Sequence, residues 1–165
     1  MKEKDTQTNS YLTFKLGEEE FGIHVSQVLN ILEMTKITSI PQSPDFMKGV
    51  INLRGMVLPV VDIRLKFGLP EIPPTNNTCI IVMDLKLGDE IVHIGSIVDE
   101  VVSVLEIEED QIEGSPNLGK QYQSEFIQGM AREDDAFIML LDMERVFNAA
   151  EISSISESYS LETTT

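Results

Sequence analysis

Few side chains in this 165-residue chain can serve as nucleophile, base or metal ligand: one cysteine, Cys79, and two histidines, His24 and His93. Acyl transfer by cysteine or serine needs a nucleophile, a neighbouring base and a third group that orients the base. Cys79 opens the apolar run Cys79-Ile80-Ile81-Val82, where a thiol acts as a small hydrophobe. His24 lies between Ile23 and Val25, and His93 between Val92 and Ile94. Both sit in alternating strand patterns and are expected to be structural. One thiol and two imidazoles make no zinc cluster without carboxylate help. The acidic residues Glu106, Glu108, Glu109, Asp110 and Glu113 lack the glycine and flanking helices of a calcium loop, and read as a solvated loop. Asp62, Asp84, Asp99 and Asp142 each interrupt apolar strands, and strand ends account for them as well as an acid–base pair would. No glycine-rich phosphate loop occurs. These residues point away from an enzyme and imply no cofactor and no metal.

The remaining candidate is a cation. Arg54 is the only positive residue between Lys48 and Arg64, and Gly55 follows it, as a tight hairpin tip requires. Arginine carries five donors in a planar fork on an apolar stem, which suits a protein interface. A solvated turn arginine is the other reading of the same pattern.

The elements that position these residues are mostly strands. Ile and Val number 31 against four Ala, and β-branched side chains favour the pleated sheet while alanine favours the helix. Leu12, Phe14 and Leu16 alternate with Tyr11, Thr13 and Lys15, and Phe21–Val25 returns after Gly17-Glu18-Glu19-Glu20, a hairpin. Over Val25–Leu32 the spacing fits either a helical turn followed by a strand or one helix. Hairpins are also expected around Arg54-Gly55, Gly88-Asp89 and Arg132–Asp135. Ile97–Ile107 is almost continuously apolar, as in a strand buried on both faces or bent between two cores. Met143–Ala150 offers the best helix, with Met143, Val146, Phe147 and Ala150 on one face. Short strands with turns at this spacing indicate barrels or a sandwich. The proline-rich stretch 70–78 is expected to divide two lobes. Residues 1–9 and 151–165 are expected to be flexible tails around a folded domain of residues 10–150.

The formal charge of −16 makes nucleic acid and anionic lipid unlikely partners by repulsion. No apolar run approaches the roughly 20 residues of a membrane-spanning helix, and Met1-Lys2-Glu3-Lys4-Asp5 lacks a signal peptide's apolar stretch, so a cytoplasmic location is expected.

The stretch Gly49-Val50-Ile51-Asn52-Leu53-Arg54-Gly55-Met56-Val57-Leu58-Pro59-Val60-Val61-Asp62-Ile63-Arg64 resembles the most recognisable segment of the CheW family of chemotaxis coupling proteins. The likeness continues through Leu16–Ile23, Ile97–Val101 and Phe126–Gly129, covering Tyr11 to Ala150 in order. The same module forms the regulatory domain of the chemotaxis histidine kinase, but this chain carries neither kinase parts nor a phospho-acceptor domain. The resemblance implies a mainly β fold of two five-stranded SH3-like β-barrel lobes, with short helical turns and a C-terminal helix. It implies a non-enzymatic signalling adaptor that couples methyl-accepting chemoreceptors to the histidine kinase CheA in a ternary array. Such an adaptor is cytoplasmic, recruited to membrane-attached arrays, and does not insert in the membrane. The receptor tip would dock in a groove between the lobes, against Arg54, Gly49, Val28, Asn30, Cys79 and Val104. Asn30 stands where relatives often carry an acid, so a polar contact replaces an ion pair there. Glu113, Asn117 and Leu118 match a region that contacts the kinase and knits the array. The alternative is a kinase-binding scaffold of a non-chemotactic two-component pathway.

Overall fold

The computed structural model describes residues 8–87, 89–113, 126–147 and 151. Strands β1 (Thr8–Leu16) and β2 (Glu19–His24) form the first hairpin, and a 3-10 turn at Val25–Gln27 leads into β3 (Val28–Glu33). Then come β4 (Met47–Leu53), β5 (Met56–Val61) and one helical turn, α1 (Ile63–Lys66). A hairpin of β6 (Cys79–Leu87) and β7 (Glu90–Val98) follows, then β8 (Glu100–Glu108), β9 (Ile112–Glu113), β10 (Ile127–Glu133) and β11 (Ala136–Leu141). Two sheets result. One runs β8-β1-β2-β11-β10-β9 and the other β3-β6-β7-β5-β4.

Strand alternation gives each sheet two apolar faces, and the three clusters that follow are stacked in order. Between the sheets lies the largest, with Leu12, Phe14, Leu16, Phe21 and Ile23 from the first sheet against Ile81, Met83, Leu85, Ile94 and Val98 from the second. Tyr11, Ile107, Ala131, Ile138 and Leu140 fill the far side of the first sheet. Ile51, Leu58, Val60, Ile80, Val82 and Ile97 fill the far side of the second. Each fully buried side chain of this size contributes roughly 1.5–3 kcal/mol, so the shared seam is a principal source of stability.

The chain is a duplication whose halves are interlaced. Phe46, Gly49, Arg54, Asp62 and Phe67 recur at one constant spacing as Phe126, Gly129, Asp134, Asp142 and Phe147. The geometry recurs with them. The β4 and β10 strands carry register shifts at Met47/Gly49 and Ile127/Gly129, the Asp62 and Asp142 amides donate to the Phe46 and Phe126 carbonyls at 2.7 Å each, and both aspartates cap the turn that follows. Likewise β3 and β8 each bulge where they pair with a hairpin, at Leu29 and at Val102. Each sheet takes its long hairpin from one half and its remaining strands from the other.

This interlacing overturns one expectation. The segment 70–78 does not separate the lobes, since it joins β5 and α1 to β6 within the second sheet. The chain passes between sheets elsewhere, at the turn Val25–Gln27 and at Asp99. The mainly β fold of two sheets is as expected, and the short β9 adds a sixth strand to the first sheet. Val25–Leu32 resolves as a turn followed by a strand, and Ile97–Ile107 is bent between two cores at Asp99. The strand β1 takes in Thr8 and Asn9, placed in the flexible tail by the sequence, and the Asn9 Oδ1 lies 3.0 Å from His24 Nε2. Of the expected helix at 143–150, Met143–Arg145 is a 3-10 turn, and residues 148–150 lie outside the described residues.

Candidate functional site

Arg54 and Gly55 form the two-residue tip of the β4–β5 hairpin, with φ of 57° and 86°. Two consecutive left-handed residues make the turn whose twist matches that of paired strands. Asn52 Oδ1 accepts from the Gly55 amide at 2.9 Å and stiffens the tip. The guanidinium of Arg54 is exposed and makes no hydrogen bond or ion pair among the described residues. Leu53, beside it, packs into the same cluster as Leu32 and Ile37. The segment after β3 bridges β4 between Thr38 and Val50.

Gly49 has φ of 141°, and a Cβ there would lie 2.0 Å from the Thr38 carbonyl oxygen. Expected to face a partner, it is buried and faces Thr38, because only a residue without a side chain lets the two backbones close. Val28 is half-buried against the seam between the sheets. Asn30 is exposed, and its Oδ1 accepts from the Ile31 amide at 2.8 Å. Cys79 starts β6 and packs against the seam, and burial pushes its thiol pKa up. Val104, on β8, is 58% exposed.

The structure thus brings Val28, Cys79 and Val101 to one seam and puts Asn30 and Val104 on the two bulged edge strands beside it. The sequence reading missed the apolar partners of Asn30 and Val104. Leu29, Ile31 and Val102 are exposed on those same edges, 50%, 43% and 43% respectively. Their signal was an apolar residue on both sides of Asn30, which a one-sided strand does not need. Glu113 sits apart on β9, in an ion pair with Arg132 (3.3 Å) beside a surface hollow with Asp110 and Asp134. Asn117 and Leu118 lie outside the described residues.

A second omission is a buried ion network. Arg64 Nε and Nη2 donate to Asp62 Oδ1 and Oδ2 at 2.8 Å each, and Nη1 donates to Asp99 Oδ1 at 2.7 Å. The hydrogen bond that Arg64 donates to Asp62 pushes the Arg64 pKa up, against the opposing effect of burial. The signal was available: an aspartate two residues before an arginine, with Val61, Ile63 and Leu65 interleaved, puts charges where the strand end must be buried.

A family model described as the CheW-like domain matches residues 10–151. Chemotaxis protein CheW of Klebsiella aerogenes is 33% identical over 151 residues, covering 92% of this chain and 89% of that protein. Chemotaxis protein CheW of Bacillus subtilis is 31% identical over 137 residues, covering 83% and 85%. The crystal structure of scaffolding protein TtCheW from Thermoanaerobacter tengcongensis superposes with a TM-score of 0.76 at 30% identity, over 88% of this chain and 96% of that one. With a shared fold, a match over nearly the whole chain and identities at this level, the chain belongs to the CheW family.

Proposed function

We propose that this chain is a non-enzymatic chemotaxis adaptor that couples chemoreceptors to the histidine kinase CheA and so sets kinase activity. The helical tip of a receptor docks along the seam, contacting Arg54, Val28, Asn30, Cys79 and Val104, while Gly49 shapes the hairpin from beneath. Leu29, Ile31 and Val102 supply further apolar surface. A helix laid there gains by burying its apolar stripe, and a charge-assisted bond from arginine fixes its register. Glu113, with Asn117 and Leu118, contacts the kinase regulatory domain. The adaptor reaches the membrane only through the receptors it binds.

The observation that carries this reading is Arg54: a guanidinium without a partner among the described residues, held at a stiff left-handed tip in a protein of net charge −16. Titration of receptor signalling fragments against the chain tests it. Arg54→Ala is expected to keep the cooperative melt and weaken binding by more than about 1 kcal/mol. Unchanged affinity rejects the assignment.

A further inference from the structure

The seam between the sheets is held mainly by apolar burial, which has no preferred direction and lets packed layers slide. If the proposed receptor site draws on both sheets, something directional must fix the angle between them. Asp99 occupies one of the two crossings, between the end of β7 in one sheet and the start of β8 in the other. One of its carboxylate oxygens, Oδ1, accepts from Arg64 of the second sheet's α1 turn at 2.7 Å. The other, Oδ2, accepts from the Gly17 amide in the β1–β2 turn of the first sheet at 2.6 Å. Its own amide donates to the Lys15 carbonyl at 3.0 Å. A single carboxylate therefore gives one oxygen to each lobe. Arg64 is itself anchored on Asp62, which is fully buried.

The duplicated half offers a contrast. The other crossing, Val25–Gln27, carries no carboxylate–guanidinium pair among the described residues, and His24 Nδ1 accepts there from the Ser26 amide at 3.1 Å. The repeat counterpart of Arg64 is Glu144, exposed, whose carboxylate accepts from the Lys86 amide at 2.9 Å. One crossing is bolted by buried charges and the other is not.

We propose that Arg64 and Asp99 are positioning residues that lock the angle between the two lobes and thereby hold the docking groove in shape; the groove's role rests on the adaptor reading above. Charge-assisted bonds with fixed fork geometry supply the directionality that the apolar seam lacks. The Asp99→Asn variant keeps an acceptor for Gly17 but removes the charge facing the guanidinium. Arg64→Lys keeps the charge but cannot bind both carboxylates as a fork.

The test measures the distance between spin labels on the full chain at Ile91→Cys in one sheet and Phe137→Cys in the other, with Cys79→Ser in every sample. The parent and the Glu144→Gln control are expected to share one narrow distribution, which broadens or shifts in Asp99→Asn and in Arg64→Lys. The same two changes, made in the unlabelled chain, are expected to weaken a receptor-tip fragment by about tenfold, the size of one lost charge-assisted bond. Distributions identical to the parent in both variants overturn the proposal. So does loss of the cooperative melt in both, since the network would then decide folding rather than angle. Should the parent not bind the receptor fragment while the distances behave as expected, the adaptor reading fails and the lock stands.

Discussion

The two related hairpins share a backbone and differ in what they offer. Arg54 and Asp134 hold the same left-handed position, with φ of 57° and 56°. The first tip reads Asn52-Leu53-Arg54-Gly55 and leaves its guanidinium free among the described residues. The second reads Arg132-Glu133-Asp134-Asp135, and its one cation is engaged, paired with Glu113 and lying 5.4 Å from the centroid of the Phe137 ring. Behind the tips the contrast repeats. Asp62 and Arg64 are buried and joined by two bonds of 2.8 Å, whereas Asp142 and Arg145 approach to 3.4 Å with Arg145 68% exposed. Duplication copied the scaffold, while the side chains diverged into a bare cationic probe with a buried support and an acidic tip with neither. A fold of this kind dictates where a residue stands and leaves open what it says to a partner.

The largest test of that contrast concerns the aspartate–arginine pairs. Arg64→Ala leaves two carboxylates without their guanidinium, one fully buried and one nearly so, and is expected to cost about 3–5 kcal/mol in urea unfolding. The related Arg145→Ala removes an exposed pair and is expected to cost less than about 1 kcal/mol. Equal losses would mean that the two halves are supported alike.

Next come the glycines. Gly49→Ala drives a Cβ into the Thr38 carbonyl and strains φ, and is expected to cost roughly 3 kcal/mol in thermal melts. At Gly129 a Cβ would meet the Ile112 Cγ2 methyl at 2.6 Å and the Glu113 carbonyl oxygen at 3.0 Å, a milder clash than at Gly49 and without a left-handed φ, so Gly129→Ala is expected to cost less. A reversed order would show that the second bulge is the stricter one.

For the tips themselves, receptor-fragment titration with Asp134→Ala beside Arg54→Ala is expected to show a loss only for Arg54→Ala, by about tenfold. Matching losses would mean that the groove does not distinguish the halves.

The smallest effect lies at the seam. Burial raises the Cys79 thiol above its ordinary value of 9.0. The folded state therefore favours the neutral thiol. Its contribution is complete below about pH 9 and is lost as the pH rises through the folded value. Alkylation at about pH 8 is expected to be slower in the folded chain than in the urea-unfolded one, since the thiolate reacts. Equal rates would place the thiol in open solvent.

Much of this was readable from residue order alone. Alternation in Leu12, Phe14 and Leu16, and the Arg54-Gly55 pair, gave strands and a tip because side-chain period and φ preference are local properties. The family likeness followed from consecutive residues. The repeat that relates Gly49 to Gly129 and Asp62 to Asp142 lay in the same residues, but few identities carry it, and backbone geometry made it plain.

What needed the tertiary structure was everything that depends on which strands meet. The linker 70–78 looked like a boundary because composition marks flexibility, not topology; only long-range pairing shows β1 and β2 completing a sheet with strands more than a hundred residues later. Gly49 was read as a receptor contact, and only the fold shows that it also lets the Thr38 backbone come close. Asp62 and Asp99 looked like strand ends, and nothing tied either to Arg64. Their meeting depends on the chain crossing between sheets at Asp99, and no local pattern encodes a distance between residues that far apart in sequence.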